Sequence, residues 1–314
     1  MDITINAGLT ILGIVMLCYG GHFLVEGGVR IARKFRISSL VIGMTVVAYG
    51  TSTPELAASI AAAGQHTQLI LGNVVGSNIS NIGMVIGISA ILVPLVVQKS
   101  TVRKEIPIMI GASLLLILLS LDNGISQWEG GILIAGLVGF TYFVYRNAKK
   151  QRDANQTDTS NESAGKSFFS RAISLVALGI GLLWAGAILT VDNAVVIAES
   201  FGISERIIGL TVIAIGTSLP ELITSIIAIR KGHHDIGIGN IIGSNIYNVL
   251  MIIGVAGAIG GIVVVPEVFI DYAVMIGFSL VLLVVMKTGL ITKSMGVGLA
   301  AAFAAYLGWL LLLP

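Results

Sequence analysis

Two copies of one short motif each place a carboxylate beside hydroxyl groups inside strongly apolar sequence. The first copy reads GTSTPE and ends at Glu55, and the second reads GTSLPE and ends at Glu221. A carboxylate near the centre of a bilayer costs roughly 3 kcal/mol, so each glutamate needs a partner. Because no Lys or Arg lies in the interior of any apolar segment, that partner is a bound cation, a proton or a set of hydrogen-bond donors.

Each motif also carries residues that break a helix and add oxygen ligands. Thr51 and Ser52 precede Glu55 by four and three residues, so on a helix they share its face. Pro54 has no N–H for the carbonyl of Gly50, so we expect freed carbonyls near Ala48, Tyr49 and Gly50 that can point at an ion. The second copy repeats this pattern, which is typical of broken membrane helices that line a cavity.

A second repeated motif supplies amide and hydroxyl oxygens. It reads GNVVGSNISN at 72–81 and GNIIGSNIYN at 239–248. Ser77 and Asn81 are four residues apart, as are Ser244 and Asn248, and we expect these four to bind an ion. For the other asparagines we expect mainly helix-to-helix hydrogen bonds: Asn73, Asn78, Asn240 and Asn245. An oxygen-only set without His or Cys favours hard cations such as Ca²⁺ and Na⁺ over Zn²⁺ or Cu⁺.

The elements that hold these motifs are membrane helices. Of the 314 residues, 55% are hydrophobic and 11% charged, whereas soluble domains have roughly 25% charged residues. Segments of about 20 apolar residues span a bilayer. Cys18, the single cysteine, lies in the first apolar segment, and we expect it to be buried. Ten such segments are found, at 7–29, 38–63, 69–97, 105–121, 128–146, 171–198, 204–229, 236–264, 267–286 and 294–313.

The motifs recur because the chain is an internal repeat. Residues 37–55 and 203–221 are identical at 12 of 19 positions, and each half holds five segments. An odd number of spans starts the second half on the opposite side of the membrane, so the halves are inverted. We therefore predict an all-α integral membrane protein of ten transmembrane helices in two inverted five-helix repeats, 1–146 and 171–314, joined by a polar linker at 147–170.

The basic residues predict the orientation. All but one of the 18 Lys and Arg residues lie in the loops after segments one, three, five, seven and nine, the exception being Arg206. By the positive-inside rule those loops, including the linker, are cytoplasmic and both termini are extracytoplasmic. We expect the protein in the cell membrane, with the lipid bilayer as its surroundings and no nucleic-acid partner.

At the two motif pairs the chain resembles the sodium/calcium exchangers of the cation/calcium exchanger superfamily, and the short linker is similar to that of the compact prokaryotic members. The resemblance implies antiport of Na⁺ and Ca²⁺ by alternating access, in which the first and sixth helices slide across a rigid eight-helix core. It implies no further cofactor. The implied ion ligands are Ala48, Thr51, Ser52, Glu55, Ser77, Asn81, Ala214, Thr217, Ser218, Glu221, Ser244 and Asn248.

Two departures from the family pattern bear on the coupled ion. Some prokaryotic members and the potassium-dependent exchangers carry Asp where this chain has Asn248, and because Asn lacks that charge we predict no potassium requirement. A proton/calcium antiporter is the first alternative. The proton-coupled members carry a further acidic residue in the second motif, where this chain has Asn81 and Asn248, but Glu55 and Glu221 could themselves take protons. A cation channel is less favoured, since one chain supplies both halves of the site, and we expect a functional monomer. An enzyme is not expected, because no nucleophile with a base accompanies the glutamates.

Overall fold

A computed structural model of the protein describes residues 3–63, 67–154, 166–202 and 214–312, and these residues are almost entirely helical. We label the helical stretches in chain order and give consecutive helical pieces one label. In the first half they are α1 (Ile3–Phe35), α2 (Ser39–Ile42, Gly43–Val47, Ala48–Thr51 and Thr53–Ala62), α3 (Thr67–Ser80, Asn81–Ile86 and Gly87–Leu92), α4 (Thr101–Glu105 and Ile106–Leu119) and α5 (Gln127–Ala154). In the second half they are α6 (Lys166–Ser200), α7 (Ala214–Thr217 and Leu219–Arg230), α8 (His234–Tyr247, Asn248–Ile253 and Gly254–Gly260), α9 (Val268–Met286) and α10 (Lys293–Leu312).

Seven of the described helices are long and apolar enough to cross a bilayer. They lie at Ile3–Phe35, Leu69–Leu92, Gln127–Lys150, Phe169–Ser200, His234–Gly260, Val268–Met286 and Lys293–Leu312. The predicted all-helical membrane architecture is thereby confirmed. The remaining stretches α2, α4 and α7 are shorter or interrupted, so the count of ten spans stays a prediction.

Three local expectations need correction. α1 runs over Ile3–Phe35 and not 7–29, because the polar ends of an apolar segment continue the helix. α5 continues to Ala154 and α6 begins at Lys166, so both helices enter the stretch predicted as linker, of which 155–165 lie outside the described residues. Cys18 is exposed on α1, and its neighbour Leu17 takes the buried position.

Two small strand pairs tie the halves together. β1 (Leu95–Val96), between α3 and α4, pairs antiparallel with β4 (Leu290–Ile291), between α9 and α10. β2 (Gly124–Ile125), between α4 and α5, pairs antiparallel with β3 (Ile262–Val263), between α8 and α9. Each pair therefore joins a loop of one half to a loop of the other.

The apolar side chains form two separate clusters. The larger cluster draws on α2 to α5 and on α7 to α10. The smaller one is centred on α1 and α6, with Leu17, Leu24 and Leu183. Ile42 and Val47 of α2, Ala228 of α7 and Ile236 of α8 also belong to it. Small residues let α1 and α6 run antiparallel at short distance. A Cβ added at Gly20 would lie 2.9 Å from the carbonyl oxygen of Gly179.

Candidate functional site

The helix breaks that the prolines predict are present in both halves. Ser52 (φ −85°, ψ 5°) interrupts α2, and the next helical piece has Pro54 in its first turn. Ser218 (φ −88°, ψ 1°) interrupts α7 in the same way ahead of Pro220. Each glutamate thus lies in the first turn of a new helix, where the N-terminal end of the helix dipole favours an anion.

The two carboxylates lie together in the interior. Glu55 is 2% exposed and Glu221 is 1% exposed, and they are close enough to repel each other electrostatically. The Ser52 hydroxyl donates to Glu221 Oε1 at 3.1 Å, so the hydroxyl of one motif reaches the carboxylate of the other. Ser244 donates to the same oxygen at 3.3 Å. The two motifs therefore build one shared site.

α8 positions the hydroxyl of Thr51. The Thr51 Oγ1 hydroxyl donates to Asn240 Oδ1 at 3.0 Å and lies 3.5 Å from Ser244 Oγ. Asn240 in turn donates to Ser225 Oγ at 3.0 Å and to the Glu221 carbonyl at 3.5 Å. Thr51 Oγ1 also lies 3.2 Å from the Ala48 carbonyl oxygen, and its single proton serves only one of these two acceptors, so the hydroxyl keeps its lone pairs for another partner. Asn240 thus supports a site residue, a role that the sequence did not reveal.

The two predicted asparagine ligands are held by a crossed pair of hydrogen bonds between α3 and α8. Asn81 Nδ2 donates to Asn245 Oδ1 at 2.9 Å, and Asn248 Nδ2 donates to Asn78 Oδ1 at 3.0 Å. Asn81 and Asn248 each begin a π-helical stretch, a feature often found at functional sites. The helix-to-helix bonding expected for Asn78, Asn240 and Asn245 is confirmed by these contacts.

Six oxygen atoms of the predicted ligand set are buried without a hydrogen-bond partner among the described residues. They are Glu55 Oε2, Glu221 Oε2, Ser77 Oγ, Asn81 Oδ1, Ser218 Oγ and Asn248 Oδ1. A buried polar atom left unpaired costs about 1–3 kcal/mol, and native proteins have few of them. A hard cation bonded to these oxygens would remove that cost and offset the repulsion between the carboxylates.

The alanine carbonyls fit the predicted set less well. Ala48 O accepts hydrogen bonds from Ser52 N at 3.0 Å and from Thr51 Oγ1 at 3.2 Å, so the expectation that this carbonyl is freed is wrong. The reason is that Pro54 removes the donor to Gly50, two residues later. Ala214 begins the first piece of α7, and Thr217 ends it half-buried.

The fold and site together are those of a multi-pass membrane transporter with an oxygen-lined interior. The sequence pattern of the sodium/calcium exchanger protein family matches residues 5–146 and 171–312, and the chain belongs to that family. It is therefore a cation/calcium antiporter by family and not an enzyme.

The chain is also similar to individual proteins over nearly its whole length. It is 38% identical to the putative antiporter CaxA of Alkalimonas amylolytica, covering 94% of this chain and 95% of that one. It is 32% identical to the sodium/calcium exchanger MaX1 of Methanosarcina acetivorans, covering 97% and 98%. A solved structure of the sodium-calcium exchanger NCX_Mj superimposes with a TM-score of 0.85 at 30% identity, covering 98% of this chain and 99% of that one.

Proposed function

We propose that the protein is a sodium/calcium antiporter that works by alternating access and does not require potassium. The observation that carries the proposal is the set of six unpaired buried oxygens, two of them from the carboxylates of Glu55 and Glu221, which have no basic partner among the described residues. One Ca²⁺ balances the charge of Glu55 and Glu221, and at least two Na⁺ are needed for the same balance. MaX1 and NCX_Mj are named as exchangers of these two ions, which supports the same assignment.

The twelve residues of the predicted ligand set are proposed to bind the transported ions. For Ala48 this requires that its carbonyl share or release one of its two hydrogen bonds when an ion is bound. The other described members contribute carboxylate, hydroxyl and amide oxygens, which suit Ca²⁺ and Na⁺ equally. Overlap of the two ion sites makes the ions compete, and competition couples the two fluxes.

The strand pairs support two inverted five-helix repeats. β1 and β3 occupy equivalent places in the two halves, 167 residues apart. β1 pairs beside one end of α4 and β3 pairs, through β2, beside its other end. If α4 crosses the bilayer, equivalent loops lie on opposite faces, as inversion requires.

The contacts between loops also support the proposed orientation. Gln98, next to Lys99 in the α3–α4 loop, donates to Asp235 Oδ2 at 2.7 Å at the start of α8. Lys34 lies 4.3 Å from the ring centroid of Phe169 at the start of α6. Loops rich in basic residues thus meet at one face, which we assign to the cytoplasm, with both termini outside. Because one chain holds the whole site, we propose that the monomer is the working unit.

The test is ⁴⁵Ca²⁺ uptake into sodium-loaded vesicles that contain the purified protein. Uptake is expected to fall when outside sodium is raised and to be unchanged by potassium. Uptake that follows a pH gradient and ignores sodium would instead establish a proton/calcium antiporter, and single-channel currents would establish a channel. Empty vesicles and vesicles with Glu221→Gln control for leak.

A further inference from the structure

A second cavity lies apart from the ion site, at the face that we assign to the cytoplasm. It has a volume of about 290 Å³ and is enclosed by the starts of α2 and α4, the α3–α4 loop and the end of α5. Its wall is mostly apolar, with Leu40, Val41, Met44 and Val144. Its polar residues include one carboxylate, two lysines and an asparagine: Glu105, Lys104, Lys150 and Asn147.

The carboxylate in this cavity is buried and only partly satisfied. Glu105 is 4% exposed, and its Oε2 atom has no hydrogen-bond partner among the described residues. Neither Lys104 nor Lys150 lies within ion-pair distance, since the described ion pairs are both on α1. A buried carboxylate oxygen without a partner calls for a donor, and none of the polar side chains that line the cavity donates to Glu105 Oε2 in this structure.

The second half of the chain indicates what the missing donor should be. Asp271, 166 residues after Glu105, accepts a hydrogen bond from the Tyr306 hydroxyl at 2.8 Å. The residue 166 positions before Tyr306 is Phe140, which has no hydroxyl. The first half therefore has the acid without this internal donor, beside a cavity large enough for a ligand.

We propose that this cavity binds the headgroup of a phospholipid that carries a primary amine, such as phosphatidylethanolamine. The ammonium group donates to Glu105, and the neighbouring phosphate lies between the ammonium groups of Lys104 and Lys150. The start of the acyl chains lies on the apolar wall. Basic residues at the cytoplasmic boundary of membrane helices attract phosphate headgroups, and the single buried acid adds selection for an amine.

The charged side chains of the cavity favour an amine-bearing phospholipid over a small inorganic cation or an anionic lipid. A small inorganic cation would fill little of the 290 Å³ and would face the two lysines. An anionic lipid without an amine would satisfy the lysines and leave Glu105 unpaired. Phosphatidylcholine has the same net charge as phosphatidylethanolamine, but its methylated nitrogen cannot donate a hydrogen bond. Comparison of these two lipids therefore isolates the contact with Glu105.

The test is native mass spectrometry of the purified protein with phosphatidylethanolamine and phosphatidylcholine of matched chains in competition. We expect the wild type to retain the amine-bearing lipid about tenfold more than the choline lipid, the factor that one hydrogen bond to a charged group gives. Glu105→Gln is expected to lower this preference below about twofold. Lys150→Ala is expected to weaken retention of both lipids alike, because both carry the phosphate.

Asp271→Asn is the matched control, because its acid already has a partner in Tyr306, and it should keep the wild-type preference. Equal retention of both lipids by the wild type would overturn the proposal without any variant. So would tighter retention of phosphatidylglycerol than of phosphatidylethanolamine, or an unchanged preference in Glu105→Gln. Calcium exchange in Glu105→Gln is measured in parallel, so failure at this cavity is distinguished from failure at the ion site.

Discussion

At the level of single residues, Glu55 and Glu221 differ in the hydrogen bonds that their carboxylates accept. Glu221 Oε1 accepts hydrogen bonds from Ser52 and Ser244, whereas no described side chain donates to Glu55. Ser218 is the counterpart of Ser52, and its hydroxyl has no described partner. Glu221 is therefore oriented by protein donors in this conformation. Glu55 and Ser218 are the groups that gain most from an arriving ion.

Removal of either carboxylate is expected to lower calcium exchange by about 100-fold or more. A buried charge that loses its partner costs about 3 kcal/mol, and every 1.4 kcal/mol is tenfold in affinity. Glu55→Gln and Glu221→Gln keep the shape of the side chain, so folding should persist. The measurement is the initial rate of sodium-driven ⁴⁵Ca²⁺ uptake at equal amounts of reconstituted protein. Glu199→Gln, at an exposed glutamate at the end of α6, is the control and should match the wild type. Near-normal exchange in both site variants would place the ion site elsewhere.

At the level of elements, the sequence predicted the features that have local causes. The breaks in α2 and α7 follow from Pro54 and Pro220, since a missing N–H acts within one turn of helix. The π-helical stretches that begin at Asn81 and Asn248 could not be predicted in this way. They depend on how α3 and α8 pack and bond across the molecule, which no local pattern encodes.

The difference between local and long-range causes also explains which features around the site could be predicted from the sequence. Gly239 and Gly243 of the second motif let α8 pack close against α2, because small residues allow helices to approach each other. The hydrogen bond between Thr51 and Asn240 joins positions 189 residues apart, so the sequence alone does not show that these two side chains meet. α1 was predicted too short at both ends because hydropathy marks the apolar part of a helix and not its polar continuation. α3 and α8 were predicted too long, since they end at Leu92 and Gly260 and the apolar residues that follow form β1 and β3.

Gly243→Ala is expected to disturb the site through the contact between α8 and α2. A Cβ at this position would lie 2.8 Å from Ala48 Cβ and 2.8 Å from both Cα and O of Met44. Backbone atoms cannot move aside, so α8 must shift, at a cost of about 1–3 kcal/mol. We expect a lower melting temperature in detergent and an about tenfold weaker apparent affinity for calcium. Gly139→Ala on α5 meets nothing within 4 Å and should be neutral or slightly stabilising. Equal behaviour of the two variants would show that the contact does not set the ligand positions.

At the level of the whole molecule, α1 and α6 pack mainly against each other. They form the centre of the smaller cluster of buried side chains, which Ile42 and Val47 of α2, Ala228 of α7 and Ile236 of α8 also join. Gly13 and Gly20 of α1 approach Gly186 and Gly179 of α6 within van der Waals distance along the length of the pair. The pair contacts the rest of the molecule at smaller surfaces, such as Gly21 of α1 against Thr224 of α7. The close packing of α1 with α6, and their smaller contacts with the other helices, fit alternating access in which the pair moves as a unit past the remaining helices.

Disulfide cross-links distinguish motion of the pair from motion within it. In a Cys18→Ala background, Met16→Cys with Gly186→Cys would join α1 to α6, where the two Cβ positions are 3.1 Å apart. Gly21→Cys with Thr224→Cys would join α1 to α7, where a Cβ on Gly21 lies 3.2 Å from Thr224 Oγ1. We expect the first cross-link to leave sodium-driven calcium uptake within about twofold of the reduced protein, because the joined helices move together. The second should reduce uptake at least about tenfold, with recovery on reduction, because it fixes the pair to the core. Loss of uptake with the first cross-link, or full uptake with the second, would contradict movement of α1 and α6 as one body.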